Sequence, residues 1–233
     1  MTGINGLVTF IFLTIFSRFE LGRDPVVKHG LVSGTSRLGG LAITFSSILG
    51  VCISLYLLGA LSYHNILGEI DQIILFSLLI GFVGLAEDLH QNINSKSRLC
   101  IIFILSGISL IYLNDLLPFH LEVFSNTIIS KNYYIVFLVT LFLLVGFINA
   151  GNIADGANGL LSSIYVIFFM VIYSINPTIF NFSMMMSLLV FFIYNVSTGR
   201  IFLGDFGSYS LSALVAFNCL EIYSKFAVSI FLF

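Results

Sequence analysis

Charge is what this sequence has least of: nine Lys plus Arg and eleven Asp plus Glu among 233 residues, a charged share of 9%. A soluble domain of ordinary composition carries about 25% charged residues to cover its surface, so a water-soluble globule is excluded. The signs nearly cancel, for a net charge of -2. That leaves no basic field and argues against nucleic acid as a partner. Cysteine is equally scarce. Cys52, Cys100 and Cys219 are scattered beside or within apolar runs without a CxxC pair, which speaks against thiol-based metal or redox work. The first apolar run, Ile4 to Phe16, has no basic stretch before it and no small-residue cleavage site after it. It reads as an uncleaved span rather than a signal peptide.

What is present is apolar: 58% hydrophobic residues, 25 Phe and a mean hydropathy of +1.09. Apolar runs fall at about residues 4–17, 38–61, 72–86, 99–113, 134–150, 159–175, 178–197 and 208–224. Only helices and closed barrels satisfy their own backbone in lipid, and runs of this length without strict alternation argue for helices. The expected fold is therefore all-α, a polytopic integral membrane bundle of about eight transmembrane helices. The loops left over are too short for a soluble unit, so residues 1–233 read as a single transmembrane domain.

If the spans alternate sides, one set of loops carries Arg18, Arg23, Lys28, Arg37, Lys96, Arg98 and Arg200, and the other only Lys131 and Lys225. By the positive-inside rule the first set is cytoplasmic. The same set holds every dense polar, glycine-bearing cluster: His29 to Gly40, Glu87 to Arg98, Asn149 to Gly159 and Arg200 to Ser208. The acids of the other set, Glu69, Asp71, Asp115 and Glu122, read as solvated loop charges. Between Asp71 and Glu87 lie 15 uncharged residues, about 22 Å of helix against a hydrocarbon core of about 30 Å. Glu87 and Asp88 are accordingly expected to line a water-filled cleft at the cytoplasmic lip, with local bilayer thinning as the alternative.

Asp88, Asp155 and Asp205 each stand at a loop–span junction of that face. Converging carboxylates suit Mg2+, which takes oxygen ligands and shares substrate phosphates. The alternative is that each acid caps a helix or pairs with Arg37, Lys96, Arg98 or Arg200. In Asn152 to Gly159 and in Gly204 to Ser208, small residues lead straight into an apolar helix. Free N–H groups at such helix starts favour phosphate, and the acids there would require a bridging cation. Asx-type turns are the competing reading. Arg37 beside Gly39-Gly40 is a candidate for a bidentate grip on phosphate, and Phe202 for stacking on a base. His90 reads as solvated.

The ordered set Ser36-Arg37-Leu38-Gly39-Gly40 after His29, Gly84-Leu85-Ala86-Glu87-Asp88, Asn149 through Leu160, and Asn195 followed by Arg200 through Ser208 resembles the polyprenyl-phosphate N-acetylhexosamine-1-phosphate transferases. The resemblance implies transfer of a sugar 1-phosphate from a UDP-N-acetylhexosamine to polyprenyl (undecaprenyl) phosphate, with release of UMP. Such a reaction starts a lipid-linked cell-envelope glycan. It also implies a requirement for Mg2+ or Mn2+, an inner-membrane location with the site on the cytoplasmic face, and room for a homodimer. By the resemblance Asp88, Glu87 and Asp155 are catalytic and Asp205 and Asp88 bind the metal. Asn152, Asn195 and Phe202 fall where the family contacts the nucleotide, and Arg37 and Asn149 join the substrate-binding set. Glu87 stands where the family has a first Asp, and Asn158 where some members have a second. The chain reaches Phe233 without the family's further spans and His-rich loop, and its histidines, His29, His64, His90 and His120, are dispersed. A catalytically inactive truncated remnant and a polytopic transporter stand as alternatives to the active transferase.

Overall fold

The structure, a computed structural model, describes residues 2–19, 22–23, 34–69, 71–90, 93–118, 121–123, 127–130, 132–156 and 158–226. The helices are α1 (Thr2–Phe16), α2 (Gly39–Leu57), α3 (Tyr63–Glu69), α4 (Gln72–His90), α5 (Ser95–Tyr112), α6 (Tyr133–Ala154), α7 (Leu160–Ile175), α8 (Ile179–Thr198) and α9 (Gly204–Phe226). Every expected span is a helix, and the chain folds as a polytopic membrane helix bundle. Short elements that were not expected are α3, a 3-10 turn at Asn114–Leu116, and an antiparallel pair of strands, β1 (Leu121–Val123) and β2 (Thr127–Ser130).

Helices α2, α4, α5, α6 and α8 are each long and apolar enough to cross a membrane, and α1 and α7 are shorter apolar helices. Helix α9 is different. It packs against α2, α4, α6 and α7, and nearly every residue from Leu203 to Leu220 is buried. A helix surrounded by protein need not be apolar all round. Ser208, Ser210 and Ser212 are buried, their hydroxyls bonded to carbonyls of the preceding turn or to neighbouring side chains.

Small residues let α9 sit this close. A Cβ on Gly40 of α2 would collide with the main chain of Gly207, and one on Gly84 of α4 with the main chain of Asp205. On α4, Gly81 similarly faces Ser210, and on α6 Gly151 faces Ser212. A separate uncharged seam joins α1, α2 and α8. Asn5 donates to Ser183 at 3.1 Å, and Ser187 bonds both Thr9 and Ser46, at 3.0 and 3.2 Å. Such side-chain bonds hold helices together where lipid supplies no hydrophobic drive.

Side-chain caps fix several helix starts and therefore loop geometry. Asn94 accepts from the Lys96 N–H, Asn132 from Tyr134, and Thr178 from Asn181. The chain alternates ends with each long helix. One end of the bundle gathers the C-termini of α1, α4, α6 and α8 and the N-termini of α2, α5, α7 and α9. The four polar clusters lie there.

Candidate active site

Two segments far apart in sequence are laced together by main-chain bonds at this end. Ser36 pairs with Ile201 in a parallel bridge. The Phe202 N–H donates to the Ser36 carbonyl at 2.7 Å, Gly39 donates to Phe202 at 2.9 Å, and Gly40 to Leu203 at 2.8 Å. This lacing sets Arg37 beside Phe202 and delivers the chain into α9. Gly204 makes the turn with a φ of 78°, and a Cβ there would strike the Arg37 carbonyl oxygen. Gly39 and Gly40 thus let the start of α2 pack directly on Phe202 and on Gly207 of α9.

A cavity of about 260 Å³ opens beside this junction. Its wall takes Arg37 and Phe202 from the laced segments, Glu87 from the end of α4 and Arg98 from the start of α5. Asn152, Asp155 and Gly156 come from the end of α6, with Gly204 and Asp205 from the start of α9. Of the residues singled out in the sequence, Arg37, Glu87, Asn152, Asp155, Phe202 and Asp205 are brought together.

Asp88 is not among them. It is fully buried, and its two carboxylate oxygens accept the first free N–H groups of α9, from Asp205 at 3.0 Å and Phe206 at 2.9 Å. Helix N-termini leave such donors unsatisfied and attract negative charge. The anion seated on this terminus is therefore the protein's own carboxylate rather than a substrate phosphate. The cleft expected around Glu87 and Asp88 holds for Glu87 alone. Asp88 faces α9, where it supports Asp205 from behind, and it is not part of the cavity wall on which the other expected acids meet.

Asn195 and Asn149 likewise lie outside the cavity wall. Asn195 is buried, and its amide donates to the Ile201 carbonyl at 2.7 Å, fixing the loop that carries Phe202. Asn149 donates to Val145 of its own helix at 2.8 Å. His90 is exposed, with its Nδ1 near the Ala86 carbonyl, and His29 lies outside the described residues.

The cavity side chains are held from behind. Glu87 Oε2 accepts the Ile93 N–H at 2.9 Å. Asn152 is gripped at both ends, its oxygen accepting from Ser208 at 2.8 Å and its amide donating to the Tyr209 hydroxyl at 3.1 Å. Asp205 is ion-paired with Arg98. Desolvation at the wall pushes the Asp155 carboxyl well above the ordinary range, and the charges of Asp205 and Asp88 add to that. The Gly204 N–H and Arg37 oppose it.

The Arg98–Asp205 pair is one of the acid–arginine pairings the sequence offered as an alternative to metal binding. Ser208 was read only as part of a glycine-bearing cluster and Tyr209 not at all, since their grip on Asn152 depends on α6 and α9 meeting.

The donor set suits a hard divalent cation: carboxylate oxygens of Asp155, Asp205 and Glu87 lie around one cavity. Among the described residues no three His, Cys, Asp or Glu side chains form a ready cation cage. Mg2+ characteristically binds through one or two carboxylates plus substrate phosphates rather than in an all-protein cage, so the residues fit a cation shared with substrate.

The model of glycosyl transferase family 4 matches residues 71–223, which spans α4 to α9 and every acid of the cavity. The chain belongs to that family and is a membrane-embedded phospho-sugar transferase. It is 27% identical over 257 residues to the phospho-N-acetylmuramoyl-pentapeptide-transferase of Streptococcus sanguinis strain SK36, covering 97% of this chain and 75% of that one. Against the protein of the same description from Streptococcus suis strain 05ZYH33 the identity is 30% over 242 residues, covering 91% and 70%. For that of Streptococcus pneumoniae strain Taiwan19F-14 it is 26% over 252 residues, covering 97% and 74%.

Proposed function

We propose that this protein transfers an N-acetylhexosamine 1-phosphate from a UDP-linked donor to polyprenyl phosphate at the cytoplasmic face of the inner membrane, starting a lipid-linked envelope glycan. The observation that carries the reading is the meeting of four separated clusters at one end of the bundle. Glu87, Arg98, Asp155, Asp205, Arg37 and Phe202 all face one small cavity there. The lysine and arginine asymmetry of the loops supports the cytoplasmic side.

In this reading an acceptor phosphate oxygen attacks the donor phosphorus that bears the sugar. The bond to the bridging oxygen breaks, and UMP leaves. Asp205 and Asp155 would hold a divalent cation, Mg2+ or Mn2+, whose contribution is to offset the negative charge of the reacting phosphates. Phe202 stacks on the uracil and Asn152, oriented by Ser208 and Tyr209, bonds its edge. Arg37 holds phosphate as a planar fork. Glu87, with one oxygen fixed by Ile93, accepts any proton remaining on the acceptor phosphate. A site at the membrane lip lets the lipid acceptor enter sideways while the donor arrives from water.

Membranes containing the protein, supplied with UDP-N-acetylhexosamine, polyprenyl phosphate and Mg2+, should form a diphosphate-linked lipid and UMP. Absence of product, or product undiminished by Asp205→Asn, overturns the reading.

A further inference from the structure

Arg98 is an odd resident of its position. It stands in the first turn of α5, where the positive end of the helix dipole opposes a cation. The only ion pair described for it is with Asp205 across the cavity wall. The pair is lopsided. One terminal nitrogen meets Asp205, while the Arg98 Nε is buried without a hydrogen-bond partner. A guanidinium offers five donors in a rigid fork and binds phosphate or carboxylate two at a time. Here part of that fork is withdrawn from water and unused, at a cost in free energy.

Asp205 is meanwhile one of three acids on a cavity of about 260 Å³. A divalent cation reaching Asp205 meets the Arg98 guanidinium already against the same carboxylate oxygen. Two positive groups crowded on one carboxylate repel, which favours displacement of the guanidinium by the incoming ion. The displaced fork still faces the cavity, since Arg98 is part of its wall.

We propose that Arg98 is an exchangeable counter-ion. It neutralises Asp205 while no metal is bound, yields that carboxylate to the divalent cation, and turns its freed fork onto the phosphates of the nucleotide donor. The second half rests on the function proposed above, whereas the exchange requires only the cation. Arg98 would thereby make metal entry and donor entry favour one another, because each supplies what the guanidinium loses to the other.

The test is Mn2+ binding to the full chain in lipid nanodiscs, followed by electron paramagnetic resonance of the free ion, without nucleotide. Arg98→Gln should bind Mn2+ about tenfold more tightly than the unsubstituted protein, the competitor being gone, while Arg98→Lys stays within about twofold of it. In the unsubstituted protein, phenylglyoxal labelling of the Arg98 peptide, read by mass spectrometry, should increase when Mn2+ is added. This arm does not depend on any variant folding. A residue that merely orients Asp205 predicts the opposite, Mn2+ affinity equal or weaker in Arg98→Gln and labelling unchanged, and either result overturns the exchange. Failure of Mn2+ to bind either protein overturns it as well. With Mg2+ present, uridine diphosphate should bind Arg98→Gln about tenfold more weakly. If uridine diphosphate binds neither protein while the Mn2+ result holds, the exchange stands and the proposed donor fails.

Discussion

The two ends of this bundle each carry a cavity walled by three acids, and they could hardly be more different. The end away from the laced segments holds the larger one, about 830 Å³, with Asp71, Asp115 and Glu221 in its wall together with Tyr112, Tyr133 and Pro118. The site end encloses about 260 Å³. Yet no lysine or arginine lines the larger cavity among the described residues, whereas Arg37 and Arg98 face the smaller one. Asp71 is exposed and caps its own helix, accepting the Ile74 N–H at 3.0 Å. At the site end Asp88 reaches across to cap a different helix, and Asp205 pairs across the cavity. At the site end the described partners of Asp88 and Asp205 come from other helices, which is how preorganised electrostatics are built.

The strongest way to break this comparison is to neutralise one acid at each end. Asp205→Asn should cut the rate of lipid product formation roughly 100- to 1,000-fold, the scale seen when a group that stabilises transition-state charge is removed. Asp115→Asn, in the larger cavity, should leave the rate within about twofold. Equal losses at the two ends would mean that the far cavity takes part in the reaction.

Next in size is the contrast between the two capping aspartates. Asp88→Ala strips one buried and one part-buried N–H group of α9 of their only described acceptor, at a cost of about 3 kcal/mol. Asp71→Ala removes an exposed cap worth about 1 kcal/mol. Thermal unfolding in detergent should therefore show a Tm drop roughly three times larger for Asp88→Ala. Comparable drops would show that Asp88 acts as an ordinary local cap and does not support the core.

How much of this was legible in the chain follows from what each feature depends on. Helical spans were readable because lipid forces long apolar runs into helices, and the alternation of ends followed from counting them. The meeting of Glu87, Asp155 and Asp205 was readable from that alternation alone. What could not be read was direction at the scale of one side chain. Glu87 and Asp88 are neighbours in sequence, but about 100° apart around a helix, so one faces the cavity and the other α9. Asn195 and Asn149 both belong to motifs, but only the structure shows that their amides bond main-chain carbonyls. The glycines misled for the same reason. A Gly-Gly pair near a phosphate motif and a Gly-Gly pair at a helix crossing are identical in sequence, and only the position of Gly207 separates them.

That ambiguity yields the smallest of the contrasts. Gly40 and Gly68 are both helical glycines, one at each end. A methyl group on Gly40 would meet the Gly207 main chain, which cannot swing aside as a flexible side chain would, while one on Gly68 meets nothing within 4 Å. Gly40→Ala should destabilise by about 1–3 kcal/mol through overpacking, whereas Gly68→Ala should be neutral or more stable by about 0.5 kcal/mol, since alanine favours helix. Because Gly40 donates its N–H to Leu203 at the entry to α9, forcing α2 outward should also disturb Asp205 and the cavity wall. The expected signature is a fall in Tm accompanied by weaker Mn2+ binding. A lower Tm with unaltered Mn2+ affinity would show instead that the cation site tolerates movement of the helix pair that frames it, and that the lacing of residues 36–40 onto 200–203 serves stability alone.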